Sequence, residues 1–181
     1  MTSAVLVIDV QSALFDNDPH PWDGEGTIRR INRITAQARE TGVPVIFIQH
    51  EAPGSALEVS TEGWQLVADR RVESSDLFVR KTTSDSFLRT DLGAVLKERE
   101  ITDLIICGYA TEFCVDTTTR RAADLGYSVQ LAADAHTTHD KPHAAADEIR
   151  RHHNQTLPSI KSFGVEISSV DSEDIIFRAD P

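Results

Sequence analysis

The chain has 181 residues, of which 40% are hydrophobic and 26% charged, as expected for one soluble globular domain with a buried core. Its 18 Lys and Arg against 29 Asp and Glu give a net charge of −11, and no basic run stands out, so we expect no nucleic-acid partner. No apolar run approaches the ~20 residues of a membrane span, so we expect no membrane partner either.

The first predicted element is a strand, Ala4–Asp9, in the apolar start of the chain. This run lacks a basic lead and a small-residue cleavage site and contains Asp9, which favours a strand over a signal peptide. The two cysteines, Cys107 and Cys114, are too few and too close together for a disulfide framework. We therefore expect a protein of the reducing cytosol, that is, a cytoplasmic one.

Short, continuous runs of Val, Ile and Leu alternate with helical patterns along the whole chain. The predicted strands are Ala4–Asp9, Val43–Gln49, Leu77–Lys81, Leu104–Gly108 and Tyr127–Ala132, with a further short strand near Gly164–Ile167. The predicted helices follow apolar faces at 28–38, 92–96 and 115–125. Continuous apolar runs are typical of parallel strands buried on both faces. The alternation predicts an α/β fold: a three-layer α/β/α, doubly wound, mainly parallel sheet of about six strands, forming a single domain over residues 1–181.

Two stretches interrupt this alternation. Phe15–Gly26 is rich in Pro and Gly and is predicted to be a loop after the first strand. Glu51–Ser75 is predicted to be a long connection after the second strand. Long connections in compact domains are commonly functional or disordered, and the presence of Trp64 favours a pocket wall for the second one.

Three reactive side chains fall at the carboxyl ends of predicted strands, where open parallel sheets bind their ligands. The first strand ends at Asp9 and the third at Lys81. The fourth leads through Gly108 into a predicted helix that carries Cys114 in its first turn. The sequence therefore predicts a carboxylate, an ammonium and a thiol at one edge of the sheet.

These three groups suit covalent catalysis without a histidine. With Thr111 as the N-cap, Cys114 would lie at the third helical position, where the helix terminus and a nearby cation should lower the pKa of its thiol. Asp9 would accept the thiol proton, and Lys81 would hold Asp9 ionised. Each residue alone also has a structural interpretation. Asp9 could form a turn at the strand end, and Lys81 could be a solvated strand end. A lone cysteine is usually a small buried apolar residue, which is how we interpret Cys107.

Three motifs carry a resemblance to a known family. VLVIDVQ, RKTTSDSF and ICGYATEFCVDTTTRRAADLGYSV, within Ala4–Asp134, resemble the isochorismatase-like cysteine hydrolases, which include nicotinamidases, N-carbamoylsarcosine amidohydrolase and ureidoacrylate amidohydrolase. The resemblance implies a catalytic triad of Asp9, Lys81 and Cys114. It also implies a non-proline cis peptide between Tyr109 and Ala110, an oxyanion hole formed by the amides of Ala110 and Cys114, and a homodimer or homotetramer.

The sequence departs from some members of this family. Metal-dependent nicotinamidases carry an Asp-x-His pair after the second strand, but Ile48 stands two residues before His50 here. The other histidines show no recognised metal spacing: His20, His136, His139, His143, His152 and His153. We therefore expect no metal and no cofactor, and His50 to be a pocket or hydrogen-bonding residue. True isochorismatases lack a cysteine at the position of Cys114. Its presence here argues against vinyl-ether cleavage, the reaction of those enzymes.

Five residues are candidates for contact with a small-molecule substrate: Gln11, Phe15, Trp64, Tyr109 and Phe113. Gln11 lies two residues beyond Asp9, so strand alternation would point both side chains to the same face. Core packing is an equal alternative for Phe15 and Phe113. Trp64 is the stronger candidate for contact with a substrate or a neighbouring subunit.

The resulting hypothesis is a cysteine hydrolase that cleaves a C–N bond of a small amide, ureide or carbamoyl compound through a thioester on Cys114. Two alternatives keep the fold without the hydrolysis. One is a small-molecule-binding or redox and stress-related protein with a reactive thiol. The other is a structural or partner-binding protein.

Overall fold

A computed structural model describes residues 2–179, which form a single six-stranded sheet. The strands are β1 (Ser3–Ile8), β2 (Val45–His50), β3 (Leu77–Lys81), β4 (Asp103–Tyr109), β5 (Ser128–Thr137) and β6 (Ile167–Val170). Their spatial order is β3-β2-β1-β4-β5-β6, and every neighbouring pair is parallel. The strand order reverses between β1 and β4, and in open parallel sheets ligands bind outside the carboxyl ends at such a point.

Helices cover both faces of this sheet. They are α1 (Ser12–Phe15), α2 (Gly24–Glu40), α3 (Leu92–Glu98), α4 (Asp116–Asp124) and α5 (Ala146–Thr156). A π-helical turn, Thr111–Val115, precedes α4, and a 3₁₀ turn, Leu157–Ser159, follows α5. Among residues 2–179, no helix is long and apolar enough to cross a membrane. The predicted doubly wound α/β sheet is confirmed.

The core lies on both faces of the sheet, which explains why the strands are apolar without interruption. Leu6 and Ile8 of β1 pack in the cluster that includes residues of α3 and α4. Val5 and Val7, which alternate with them, pack in the cluster that includes Ile31 of α2. These four β1 side chains are fully buried, so β1 is apolar on both faces at these positions.

The predicted loop Phe15–Gly26 is wrong at both ends. Phe15 closes the short helix α1, and Gly24 and Gly26 lie in the first turn of α2. Gly26 belongs there because a Cβ at this position would lie 2.2 Å from Asp23 Oδ1, the carboxylate at the helix start.

Helix α5 was not predicted. Only Ala146 and Ile149 of its eleven residues are buried, so its apolar stripe is too thin to stand out.

Close contact between β1 and β4 depends on a glycine. Gly108 has a φ of 119°, and a Cβ on it would lie 2.1 Å from the carbonyl oxygen of Ile8. Only glycine fits such an approach of two backbones. The end of β4, and the turn that follows it, are thereby held beside Asp9.

Candidate active site

The structure brings the three predicted reactive side chains together. Asp9 follows β1 directly, Lys81 is the last residue of β3, and Cys114 lies in the π-helical turn after β4. Lys81 Nζ lies 2.8 Å from Asp9 Oδ2 and 3.2 Å from Cys114 Sγ. The Lys81 and Asp9 side chains are 0% and 3% exposed, so this ion pair is shielded from solvent.

Asp9 has one carboxylate oxygen committed and one open. Its backbone adopts a φ of 51°, a left-handed conformation that Asp tolerates better than most residues. Oδ2 accepts a hydrogen bond from Lys81, whereas Oδ1 is buried and has no hydrogen-bond partner within residues 2–179. A buried carboxylate oxygen without a partner is available to accept a proton.

The environment of Cys114 differs from the sequence-based expectation. The cap of the turn is Ala110 instead of Thr111, so Cys114 is the fourth residue of the turn. Burial, with the negative charge of Asp9 as a second cause, raises the pKa of the Cys114 thiol to about 12, and the charge of Lys81 opposes this only partly. The expectation of a lowered thiol pKa is therefore wrong. At neutral pH the Cys114 side chain is therefore a thiol, which would have to lose its proton to act as a nucleophile.

A cis peptide joins Tyr109 to Ala110, as the family resemblance implies. Ala110 is 2% exposed, and its carbonyl oxygen accepts hydrogen bonds from the N–H groups of Phe113 and Val115, both at 3.1 Å. These bonds fix the turn that carries Cys114. The assignment of the Ala110 and Cys114 amides to an oxyanion hole stays a prediction.

Lys81 occupies the position that a metal ion would take. Asp9, His50 and Cys114 each offer a ligand atom, and these atoms lie within 4.8 Å of one another. Lys81 Nζ, however, lies 2.8, 3.1 and 3.2 Å from Asp9 Oδ2, His50 Nδ1 and Cys114 Sγ. An ammonium group at the centre of three acceptors leaves no space for a second cation. The residues present therefore do not fit a metal, and the expectation of none stays a prediction.

Gln11 is fully buried and acts as a clamp between two segments of backbone. Its Nε2 donates to the carbonyl oxygens of His50 and Trp64, and its Oε1 accepts the N–H of His50, all at 2.9 Å. Gln49 Nε2 donates to the same Trp64 oxygen at 3.1 Å. The connection after β2, which contains no helix or strand as predicted, is thereby held against the end of β1. Trp64 Nε1 is buried without a partner within residues 2–179.

The other candidates differ in exposure. Tyr109 donates its hydroxyl to His139 Nδ1 at 2.8 Å, since His139 Nε2 lies 2.8 Å from the Pro19 carbonyl and donates there. Burial raises the pKa of Tyr109 to about 12, so the hydroxyl stays protonated. Phe15 packs its ring edge-to-face on Tyr109 at 5.7 Å. Phe113 is 52% exposed, on the surface.

His136 holds the π-helical turn that carries Cys114 in place, a role that the sequence did not predict. Asn154 Nδ2 donates to the Ala133 carbonyl, so its Oδ1 accepts from His136 Nε2 at 2.8 Å. The other ring nitrogen, Nδ1, then accepts the Thr111 hydroxyl at 2.8 Å. Thr111 is the first residue of the turn that carries Cys114, so this relay ties the turn to α5.

The buried His136 predicts a loss of stability as pH falls below about 6.5. Burial, the largest cause, lowers the pKa of His136 from 6.5 to about 4 in the folded protein. The unfolded chain therefore binds the proton first, and the free energy of unfolding should fall by about 1.4 kcal/mol per pH unit, roughly 2 kcal/mol by pH 5. Urea denaturation at pH 8 and pH 5 measures this difference.

The matched variants for this measurement are His136→Asn and His152→Asn, the latter on an exposed histidine of α5. His136→Asn should reduce the difference between the two pH values, and His152→Asn should keep it. An undiminished pH dependence in His136→Asn would contradict the assignment.

A surface cavity of about 560 Å³ lies away from this site. It opens at the amino ends of the strands, beside Ile101, Thr102 and Tyr127, with Lys97 and Leu125 at its rim. None of the residues that line it belongs to the Asp9–Lys81–Cys114 cluster. The cluster at the carboxyl ends is thus the candidate active site.

The comparisons with known proteins agree with this fold and show the family of the chain. The sequence model of the Isochorismatase domain family matches residues 3–168, so this chain belongs to the isochorismatase family. A solved structure of an isochorismatase family protein superposes with a TM-score of 0.85 and 31% sequence identity, covering 93% of this chain and 98% of that one.

Two relatives in sequence are a hydrolase and an amidohydrolase by name. Streptothricin hydrolase of Streptomyces noursei is 35% identical over 97% of this chain, which spans 62% of that protein's length. Ureidoacrylate amidohydrolase RutB of Variovorax paradoxus is 30% identical over 93% of this chain and 79% of its own length.

Proposed function

We propose that this chain is a hydrolase that cleaves the C–N bond of a small amide, ureide or carbamoyl compound through a thioester on Cys114. The observation that carries the proposal is the buried Lys81 Nζ at 2.8 Å from Asp9 and 3.2 Å from Cys114. The name of ureidoacrylate amidohydrolase supports the same bond class, and the name of streptothricin hydrolase supports hydrolysis. The two free cysteines suit a reducing cytosol, where we place the protein.

The first half of the reaction forms the thioester. Asp9 takes the thiol proton of Cys114 on its open Oδ1 while the sulfur attacks the substrate carbonyl carbon. The carbonyl electrons move to oxygen, and the amides of Ala110 and Cys114 stabilise this oxyanion. Lys81 faces both Asp9 and the sulfur, so its positive charge stabilises the carboxylate before proton transfer and the partial negative charge that develops on the sulfur as its proton leaves.

The second half regenerates the enzyme. The tetrahedral intermediate collapses, the C–N bond breaks, and Asp9 returns the proton to the departing amine or ammonia. Water then attacks the thioester carbonyl carbon and gives its proton to Asp9. The C–S bond breaks, the acid product leaves, and the proton passes back to the Cys114 sulfur.

The protonation state of Cys114 favours hydrolysis over the redox alternative. Redox-sensing cysteines are exposed and largely thiolate at neutral pH. Burial raises the pKa of Cys114 to about 12, so a peroxide would meet a thiol. A thiol that loses its proton only to an adjacent carboxylate, during attack on a bound carbonyl, suits acyl transfer.

A substrate panel with mass spectrometry tests the proposal. Primary amides, ureides, carbamoyl acids and streptothricin are incubated with the protein, and amine or ammonia release is followed. Quenched samples are then measured by intact mass and peptide mapping. We expect turnover of at least one class and an acyl adduct on Cys114. Oxidation of Cys114 by peroxide, with no release and no adduct for any compound, would instead favour the redox alternative.

A further inference from the structure

His50 ends β2 directly beside the catalytic lysine. The parallel register of β2 and β3 places His50 opposite Lys81, and His50 Nδ1 lies 3.1 Å from Lys81 Nζ. The backbone of His50 is held on both sides by the amide of Gln11, at 2.9 Å each way. The strand register and these two hydrogen bonds fix the backbone of His50, and the ring therefore lies beside Lys81.

His50 completes the hydrogen bonds of the Lys81 ammonium group. A lysine ammonium has three N–H donors. Here it has three acceptors, Asp9 Oδ2, Cys114 Sγ and His50 Nδ1, at 2.8, 3.2 and 3.1 Å. Since Lys81 is 1% exposed, water cannot readily replace a missing acceptor.

The ring must be neutral to accept a hydrogen bond from a lysine. Burial first, and then the positive charge of Lys81, lower the pKa of His50, while the negative charge of Asp9 and a hydrogen bond with the backbone of Thr83 oppose this in part. A lysine ammonium can only donate, so the contact at 3.1 Å requires the lone pair on Nδ1 and places the ring proton of the neutral imidazole on Nε2.

We propose that His50 is a positioning residue whose neutral Nδ1 orients the Lys81 ammonium, so that its other two N–H groups stay directed at Asp9 and Cys114. This inference rests on the proposed hydrolase function and deepens it. Asp9 is negative before proton transfer, and partial negative charge develops on the sulfur as its S–H or C–S bond breaks, so a lysine fixed by a third acceptor stabilises both states without turning away.

Protonation of His50 would remove this support. An imidazolium cannot accept a hydrogen bond, and it would place a second positive charge 3.1 Å from Lys81 Nζ. The charged and titratable groups facing His50 are Lys81 on β3, Asp9 after β1, Cys114 in the π-helical turn and the adjacent Glu51. Activity should therefore fall in acid partly through His50 itself.

Two substitutions separate positioning from other roles. In His50→Asn the amide oxygen can take the place of Nδ1 and does not titrate, whereas His50→Leu offers no acceptor. We expect His50→Asn to recover most of the kcat that His50→Leu loses, and its kcat to persist to lower pH than that of the unmodified protein. His50→Leu should lose about 10- to 100-fold in kcat with little change in KM, the size expected for one lost hydrogen bond to a charged group. The exposed His152→Asn serves as the control.

Alkylation of Cys114 by iodoacetamide provides a readout that needs no substrate. Intact mass measures the rate at which Cys114 is alkylated. His50→Leu should change this alkylation rate at least several-fold, and His50→Asn should preserve it. If alkylation separates the variants but no panel compound is hydrolysed, the positioning role stands and the hydrolase proposal fails. Hydrolysis with equal kcat, pH profile and alkylation in all variants would overturn the positioning role alone. A raised KM in both His50 variants, with kcat kept, would overturn it in favour of substrate contact.

Discussion

Cys114→Ala is expected to reduce kcat by at least about 10⁴-fold on any substrate the protein hydrolyses, because no other group can form the thioester. The folded structure should survive, since the partly buried thiol contributes only a weak hydrogen-bonding group and little volume. We expect the free energy of unfolding to change by about 1 kcal/mol or less. Amine release and urea denaturation measure the two effects.

Cys107→Ala provides the matched control. Cys107 lies in β4 and is fully buried, and within residues 2–179 its Sγ has one hydrogen-bond partner, the Leu6 carbonyl oxygen at 3.5 Å. Burial raises the pKa of its thiol further than that of Cys114, so it is inert. This variant should lose some stability and keep both turnover and the acyl adduct. Hydrolysis by Cys114→Ala at an undiminished rate would refute thioester chemistry.

The features that sequence predicts well here are those that depend on local patterns. The apolar runs around Val5 and Ile106 identify buried strands because a strand covered on both faces is apolar over nearly its whole length. Once those strands are parallel, residues at their ends must share one edge of the sheet. Asp9 and Lys81 could thus be placed together although 72 residues separate them.

The features that sequence did not predict depend on tertiary packing. The thiol pKa of Cys114 was expected to fall because a helix terminus and Lys81 are recognisable from the sequence, whereas burial is not. Thr111 looked like a helix cap, but its hydroxyl is paired with His136, 25 residues away. His50 was expected to be a pocket or hydrogen-bonding residue, but its partner, Lys81, follows from the register of β2 and β3.

Asp9→Asn should impair both catalysis and stability. The amide cannot take the thiol proton, so kcat should fall by about 10²- to 10⁴-fold, the range for loss of a general base. Lys81 would also be left as a buried ammonium without its counter-charge. Removing one partner of a buried ion pair costs about 3–5 kcal/mol. Amine release at saturating substrate and urea denaturation, both at pH 7.5, measure the two losses.

Asp76→Asn separates the two effects of Asp9→Asn. Asp76 is paired with Arg39 through contacts of 2.7 and 2.9 Å, and their side chains are 1% and 11% exposed, so this is also a buried ion pair. It lies between α2 and the start of β3, at the amino edge of the sheet, away from Cys114. Asp76→Asn should therefore lose stability of similar order and keep kcat once folded. If both variants lost stability equally and both kept kcat, Asp9 would be a structural partner of Lys81 and the base would have to be sought elsewhere. A large loss of kcat in Asp9→Asn alone assigns the proton transfer to Asp9, because the loss of a buried charge pair is common to both.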